Sequence, residues 1–250
     1  MTVRRILAAM VLVSGFPAIA QAQPLVADLS EYRVAITTGF TEAKVLLFGA
    51  VDGEGEIVVV VHGPRETVTV RRKERTAYIW LNGDEVTFRN VPAFYQVMAT
   101  EQPGDWLPIR LRERHQIGVE YLKLPLATAG VAGLEPPDVG EFRAALVRNK
   151  LRLGLYEAAT GPIRMLSARL FRTDLLFPAN VPTGIYTVEV FLVRDGEVVE
   201  AEQIPLFVSK SGVSADIYLY AQDYGVLYGI AAVIFALFAG LGANAAFRKS

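Results

Sequence analysis

No cysteine occurs among the 250 residues. That excludes a disulfide framework, a cysteine nucleophile, thiolate metal sites and the lipidated cysteine of a bacterial lipoprotein. Histidine is nearly as scarce, with His62 at the end of an apolar run and His115 in an arginine-rich stretch. Neither has the closely spaced second ligand that makes a zinc motif, so the sequence offers no metal site. A serine hydrolase elbow of the Gly-x-Ser-x-Gly type is also missing, and Ser30, Ser167, Ser209 and Ser211 stand without catalytic context. Glu54 and Glu56 are paired carboxylates, but they fall in a turn where solvation is expected. No catalytic residue and no cofactor is expected, and the chain reads as a non-enzyme.

Charge of one sign is lacking too: 25 basic residues face 26 acidic ones. Setting aside Arg4, Arg5, Arg248 and Lys249 at the two ends leaves 21 basic residues against the same 26, about −5 for the part between. A mildly acidic surface argues against nucleic acid, which requires a basic face. Anionic headgroups are disfavoured as a general partner on the same ground.

What is present is apolar. Hydrophobic residues make up 52% of the chain, an excess that two terminal segments supply. Residues 1–22 have the three parts of a secretory signal. Arg4 and Arg5 give the positive start, Ile6 to Phe16 a run too short to span a bilayer, and Ala18-Ile19-Ala20 or Ala20-Gln21-Ala22 a small-residue cleavage site. Residues 224–247 carry no charge over 24 positions, against the roughly 20 that a hydrocarbon core of about 30 Å requires. Arg248 and Lys249 beyond this run belong on the cytoplasmic side, which agrees with export of everything before it. The expected topology is single-pass in a bacterial inner membrane: ectodomain in the periplasm, a juxtamembrane segment 212–223, the helix 224–247, and a cytoplasmic tail 248–250. Tyr218, Tyr220, Tyr224 and Tyr228 suit the outer interfacial belt.

Within the apolar run, Gly225, Gly229, Ala232, Ala236, Gly240 and Ala243 recur at the helical period and form a stripe of small side chains. Close helix approach in lipid uses such stripes, so a helix partner in the membrane is expected, either a second copy or a polytopic protein. The competing reading is that small residues are simply common in membrane spans.

The middle of the chain reads as mostly β. Val45 to Val51 and Ile57 to His62 are continuous apolar runs of strand length, and Thr67 to Val70 and Glu85 to Phe88 alternate. Asp52-Gly53-Glu54-Gly55 and Asn82-Gly83-Asp84 have turn composition and are expected to connect them. This defines an N-terminal β unit, 23–102. Residues 103–154 lose the strand pattern, and Pro136-Pro137-Asp138 followed by Glu141 is a helix start with a capping box. Phe142 and Leu146 would face inward, and Gly154 would end the helix. Residues 155–211 return to alternation, with Tyr186, Val188, Val190 and Leu192 on one face. Tyr186 at the start of that strand matches the tyrosine corner of immunoglobulin-like β-sandwiches, where the hydroxyl ties back to upstream backbone. The expected fold is an immunoglobulin-like β-sandwich ectodomain, as two small units or as one with a helical insertion, plus one C-terminal transmembrane helix.

One polar feature is concentrated. Arg71, Arg72, Lys73 and Arg75 lie together, with Arg65 upstream and Arg89 downstream. Planar guanidinium groups pair with oxyanions, so the cluster is a candidate site for a small anion. Alternatively it is a solvated strand edge protected from aggregation.

Phe48-Gly49-Ala50, Gly63-Pro64, Arg71-Arg72-Lys73 with Arg75 and Ile79-Trp80, Val91-Pro92 with Phe94-Tyr95, and Pro178 to Pro182 with Gly184 and Tyr186 together resemble the putative transmembrane protein family of alphaproteobacteria. The resemblance covers nearly the whole mature chain, including the terminal anchor. It implies no assigned activity and carries no established functional residues. It also implies a place beside permeases of the sulfite-exporter type, hence an accessory of an inner-membrane transporter or envelope complex. A periplasmic binding module for a small anion is the second functional expectation.

Overall fold

Apolar alternation and turn chemistry place twelve strands among the described residues. In a computed structural model, residues 24–36, 42–76, 78–104, 106–127, 136–210 and 224–247 are described. The signal peptide, the juxtamembrane segment and the tail expected from the sequence lie outside these residues.

A four-stranded sheet has the order β1, β3, β10, β9, where β1 is Leu25–Leu29, β3 Glu42–Val51, β9 Arg164–Met165 and β10 Leu170–Pro178. A six-stranded sheet has the order β2, β12, β11, β4, β7, β8. Its strands are β2 Arg33–Ile36, β4 Glu56–His62, β7 Tyr95–Ala99, β8 Gly161–Pro162, β11 Gly184–Arg194 and β12 Glu197–Lys210. Strands from both halves of the sequence pair directly, β3 with β10 and β4 with β11. The helical stretch between them holds α1, Ile109–His115, a 3-10 turn at Val119–Tyr121, and α2, Pro136–Arg152.

Continuous apolar sequence in β4 is explained by its central position. Ile57 to Val61 are fully buried, since β4 has neighbours on both sides and cover on both faces. Residues of the two sheets meet in one core, where the Phe177 ring of β10 stands edge-on to Tyr186 of β11 at 5.6 Å and near Phe94 at 5.3 Å. The Tyr186 hydroxyl donates to the Pro182 carbonyl at 2.6 Å, as the tyrosine corner requires.

The third sheet is a hairpin of β5, Arg65–Thr76, and β6, Ile79–Pro92. It continues β4 and β7 without a break in register. His62 pairs with Tyr95, Gly63 N–H donates to the Phe94 carbonyl at 2.8 Å, Ala93 N–H donates to the Pro64 carbonyl at 2.8 Å, and Arg65 pairs with Pro92. A Cβ on Gly63 would stand 2.6 Å from the Phe94 nitrogen, so this crossing point accepts glycine alone. The result is one long two-stranded ribbon whose first part lies inside the six-stranded sheet and whose second part runs past the end of it.

The ribbon corrects one expectation. Asn82-Gly83-Asp84 does not make the hairpin turn; it lies within β6, opposite a register shift between Arg71 and Lys73. Glycine here accommodates a bulge rather than a reversal. The chain reverses between Thr76 and Ile79 instead, with Tyr78 at φ +71°.

The helix expected from the capping box is α2, and Phe142 and Leu146 are its buried apolar residues among those described. Gly154, at φ +67°, lies just beyond its end. The last element is α3, Gly225–Phe247. Among the residues whose side chains are described, no helix is long and apolar enough to cross a membrane. On α3 the side chains of Leu227, Tyr228, Ala231 and residues 242–247 lie outside that description.

Candidate functional site

Alternation in β5 turns Val68 and Val70 toward the core and leaves Arg71 and Lys73 exposed. Helix α2 lies along the same strand, and between them runs a groove. One cleft of about 400 Å³ is lined by Arg71, Arg72, Lys73, Glu141, Phe142 and Arg148. A second of about 400 Å³ continues it past Thr69, Asn149, Lys150 and Arg152. The two share Arg71 and Arg148.

Three of the four clustered cations therefore line the groove. Arg71 Nε donates to Glu85 Oε2 across the hairpin at 2.6 Å. Arg72 Nη2 donates to Glu141 Oε2 on α2 at 2.8 Å, and its guanidinium lies 5.1 Å from the centre of the Phe142 ring. Lys73 Nζ donates to Asn82 Oδ1 at 2.5 Å. Arg75 lies further out, 5.4 Å from the Tyr78 ring centre. These contacts of Arg71 and Arg72 are solvent-accessible ion pairs and a cation–π contact, each worth about 1 kcal/mol or less, whereas that of Lys73 is a hydrogen bond to an amide oxygen.

The sequence reading missed the opposite wall. Arg148 and Arg152 are one helical turn apart on α2 and line the second cleft from one face. Their spacing was legible, but Arg152 lies in the last helical turn, where the helix dipole favours a basic residue in any case. Lys150 between them is buried. Its Nζ pairs with Glu66 and lies 3.4 Å from the Ala93 carbonyl oxygen, which ties the end of α2 to the base of the ribbon.

The two histidines occupy a different place. On the face of the six-stranded sheet near α1, His62 Nε2 lies 3.4 Å from Glu189 Oε2, and Gln203 Nε2 donates to Glu189 Oε1 at 2.6 Å. The His62 imidazole beside Glu189 holds that carboxyl below the usual range, against the opposing effect of burial. The His115 ring lies tilted against Phe191, 4.7 Å between ring centres, and burial lowers its pKa. Tyr95 closes the cluster, its hydroxyl donating to the Gln116 carbonyl at 2.5 Å and accepting from Gly118 N–H at 2.8 Å. Burial pushes the Tyr95 phenol far above its ordinary pKa. Among the described residues no group of three metal-ligating side chains converges.

On α3, a Cβ added at Gly225, Gly229 or Gly240 would meet nothing within 4 Å. Gly225 and Gly229 line a shallow open groove with Val226, Ile230, Val233 and Ile234. Ala232 and Ala236 are exposed as well, and the side chain of Ala243 lies outside the described residues.

No curated protein and no solved structure matches the chain. The family model described as "Putative transmembrane protein (Alph_Pro_TM)" matches residues 24–249, most of the chain's length. The chain belongs to that family.

Proposed function

We propose that the chain is a non-enzymatic, single-pass protein of the bacterial inner membrane whose periplasmic ectodomain works through protein contacts, as an accessory of a transporter or envelope complex. One observation carries this reading. Among the described residues, the large apolar side chains of α3 are largely exposed, Val226 by 80%, Phe235 by 77% and Phe238 by 70%. A stretch of apolar surface this long is costly in water and favourable in lipid. The 23 helical residues of α3 extend about 34 Å at the usual rise, which matches the thickness of a bilayer core. The ectodomain is read as an immunoglobulin-like sandwich, supported by the Tyr186 corner and by the core that the two larger sheets share.

Contact through α3 is supported by the open groove over Gly225 and Gly229, where a neighbouring helix backbone can approach closely. Affinity purification of the full chain in mild detergent tests the reading. Retention of a polytopic partner or a second copy is expected, with loss in a Gly229→Leu, Ala236→Leu variant. Recovery of the chain alone, or unchanged assembly in the variant, contradicts it.

A second reading is that the ectodomain binds a small anion. It is supported by the groove itself, in which Arg71, Arg72, Lys73 and Arg148 meet around one cleft. Thermal unfolding of the full chain with sulfite, sulfate and phosphate is the test. An anion at 100 times its dissociation constant adds about 2.7 kcal/mol. A flat response to all three removes this reading.

A further inference from the structure

We infer that the outer end of the β5–β6 ribbon rests on the surface of the bilayer that holds α3, through its basic residues and Tyr78. The inference rests on the anchoring of α3 proposed above.

Topology places the origin of the ribbon at the end of the six-stranded sheet from which the chain continues toward α3. Strands β4 and β12 both run antiparallel to β11, so they point the same way. His62 at the end of β4 pairs with Thr187, and Val208 near the end of β12 pairs with Gly184. A Cβ on Gly184 would lie 3.0 Å from Pro64, the residue at which the ribbon departs from the sheet. The ribbon and the chain that continues to α3 therefore leave from the same end of the six-stranded sheet.

Reach is compatible with contact. Beyond Pro64, the twelve residues of β5 extend about 40 Å at the usual strand rise, less what the bulges take up. The fourteen residues from Ser211 to Tyr224 span at most roughly 50 Å when fully extended. An anchored α3 and a ribbon end touching the bilayer satisfy both lengths.

Chemistry then selects the partner. Although the ectodomain is acidic as a whole, the ribbon end bounded by the paired Arg71 and Glu85 stays net basic, with Arg71, Arg72, Lys73 and Arg75 against Glu74, Asp84 and Glu85, a net +1, and Arg75 lies beside Tyr78 at the reversal. Basic residues close to a bilayer are attracted by anionic headgroups. At the reversal, Tyr78 is 88% exposed and Leu81 51% exposed. Tyr78 also keeps a left-handed backbone, at φ +71°, where glycine or asparagine would fit without strain. A ring kept in water at a conformational cost needs a use, and an aromatic with a polar tip suits the headgroup layer. Arg75 beside that ring completes a basic and aromatic end.

The absence of cysteine makes the test direct. Single variants Tyr78→Cys, Leu81→Cys, Glu54→Cys and Phe235→Cys of the full chain are labelled with a fluorophore and reconstituted into phosphatidylcholine vesicles, with and without phosphatidylglycerol. Quenching by nitroxide-bearing lipid reports proximity to the bilayer. Labels at 78 and 81 are expected to be quenched in the anionic vesicles, and the label at 54, in the turn at the opposite end of β4, is expected to stay unquenched. Adding Arg71→Gln and Arg75→Gln, or raising the salt, should lower the ratio of contacting to free ribbon about tenfold or more. Quenching at 235 with none at 78 or 81 overturns the inference and leaves the anchor standing. No quenching at 235 removes the anchor and the inference with it, and equal quenching at 78 without anionic lipid overturns the role given to charge.

Discussion

His62 and Glu189 meet at 3.4 Å on adjacent central strands, and the imidazole keeps the Glu189 carboxyl more acidic than an ordinary glutamate. Gln203 donates to the same carboxylate, and His115 acts on it in the same direction. Because the folded state resists protonating Glu189, the stability this carboxylate contributes is present above the ordinary glutamate pKa of about 4.3 and is lost as pH falls through its lower folded value. His115 has a lowered pKa as well, so its contribution is present above about 6.5 and is lost as pH falls below that. Both effects have one sign. Unfolding midpoints should fall as pH is lowered from 7 to below 4, and Glu189→Gln should flatten the acid limb below about 4.3 while the loss below about 6.5 persists and deepens, because the Glu189 charge raises the His115 pKa. An unchanged acid limb in that variant would refute the assignment.

Replacing Tyr186 with phenylalanine keeps the ring in the core and removes the hydroxyl that serves the Pro182 carbonyl. A loss of about 1 to 3 kcal/mol is expected, the cost of leaving a carbonyl without its partner. Denaturant unfolding in detergent measures it, and a midpoint equal to the parent's would show that the corner contributes nothing.

Two glycines give opposite outcomes. Gly63→Ala forces a Cβ to within 2.6 Å of backbone that has no room to yield, and should cost about 1 to 3 kcal/mol. Gly140→Ala on α2 meets nothing within 4 Å, and should stabilise by about 1 kcal/mol through helix propensity. Paired thermal melts decide both, and equal shifts would contradict the packing described at the ribbon's origin.

Strand existence was legible because apolar runs and alternation follow directly from burial, as β4 and the Val68 to Val70 stretch of β5 show. Tyr186 was legible because a local hydrogen bond fixes its position in the sequence. The hairpin turn was misplaced for a physical reason: the Asn82-Gly83 composition that favours a reversal equally suits a bulge, and only the cross-strand partner decides between them. The Glu189 contact to His62 and the packing of α2 beside β5 that makes the groove were invisible, since both join elements far apart in the chain. The continuation of β4 into the ribbon depends on Gly63 and Phe94 sharing a register, which no local pattern states.

The central claim is that α3 crosses the membrane once, with the β ectodomain outside and the tail inside. Labelling by a membrane-impermeant maleimide tests it most directly, using Glu54→Cys and Ser250→Cys variants of the full chain in spheroplasts. Position 54 should react in intact spheroplasts, and position 250 only after the membrane is opened. Equal labelling of both positions in intact spheroplasts, or protection of both, would contradict the account.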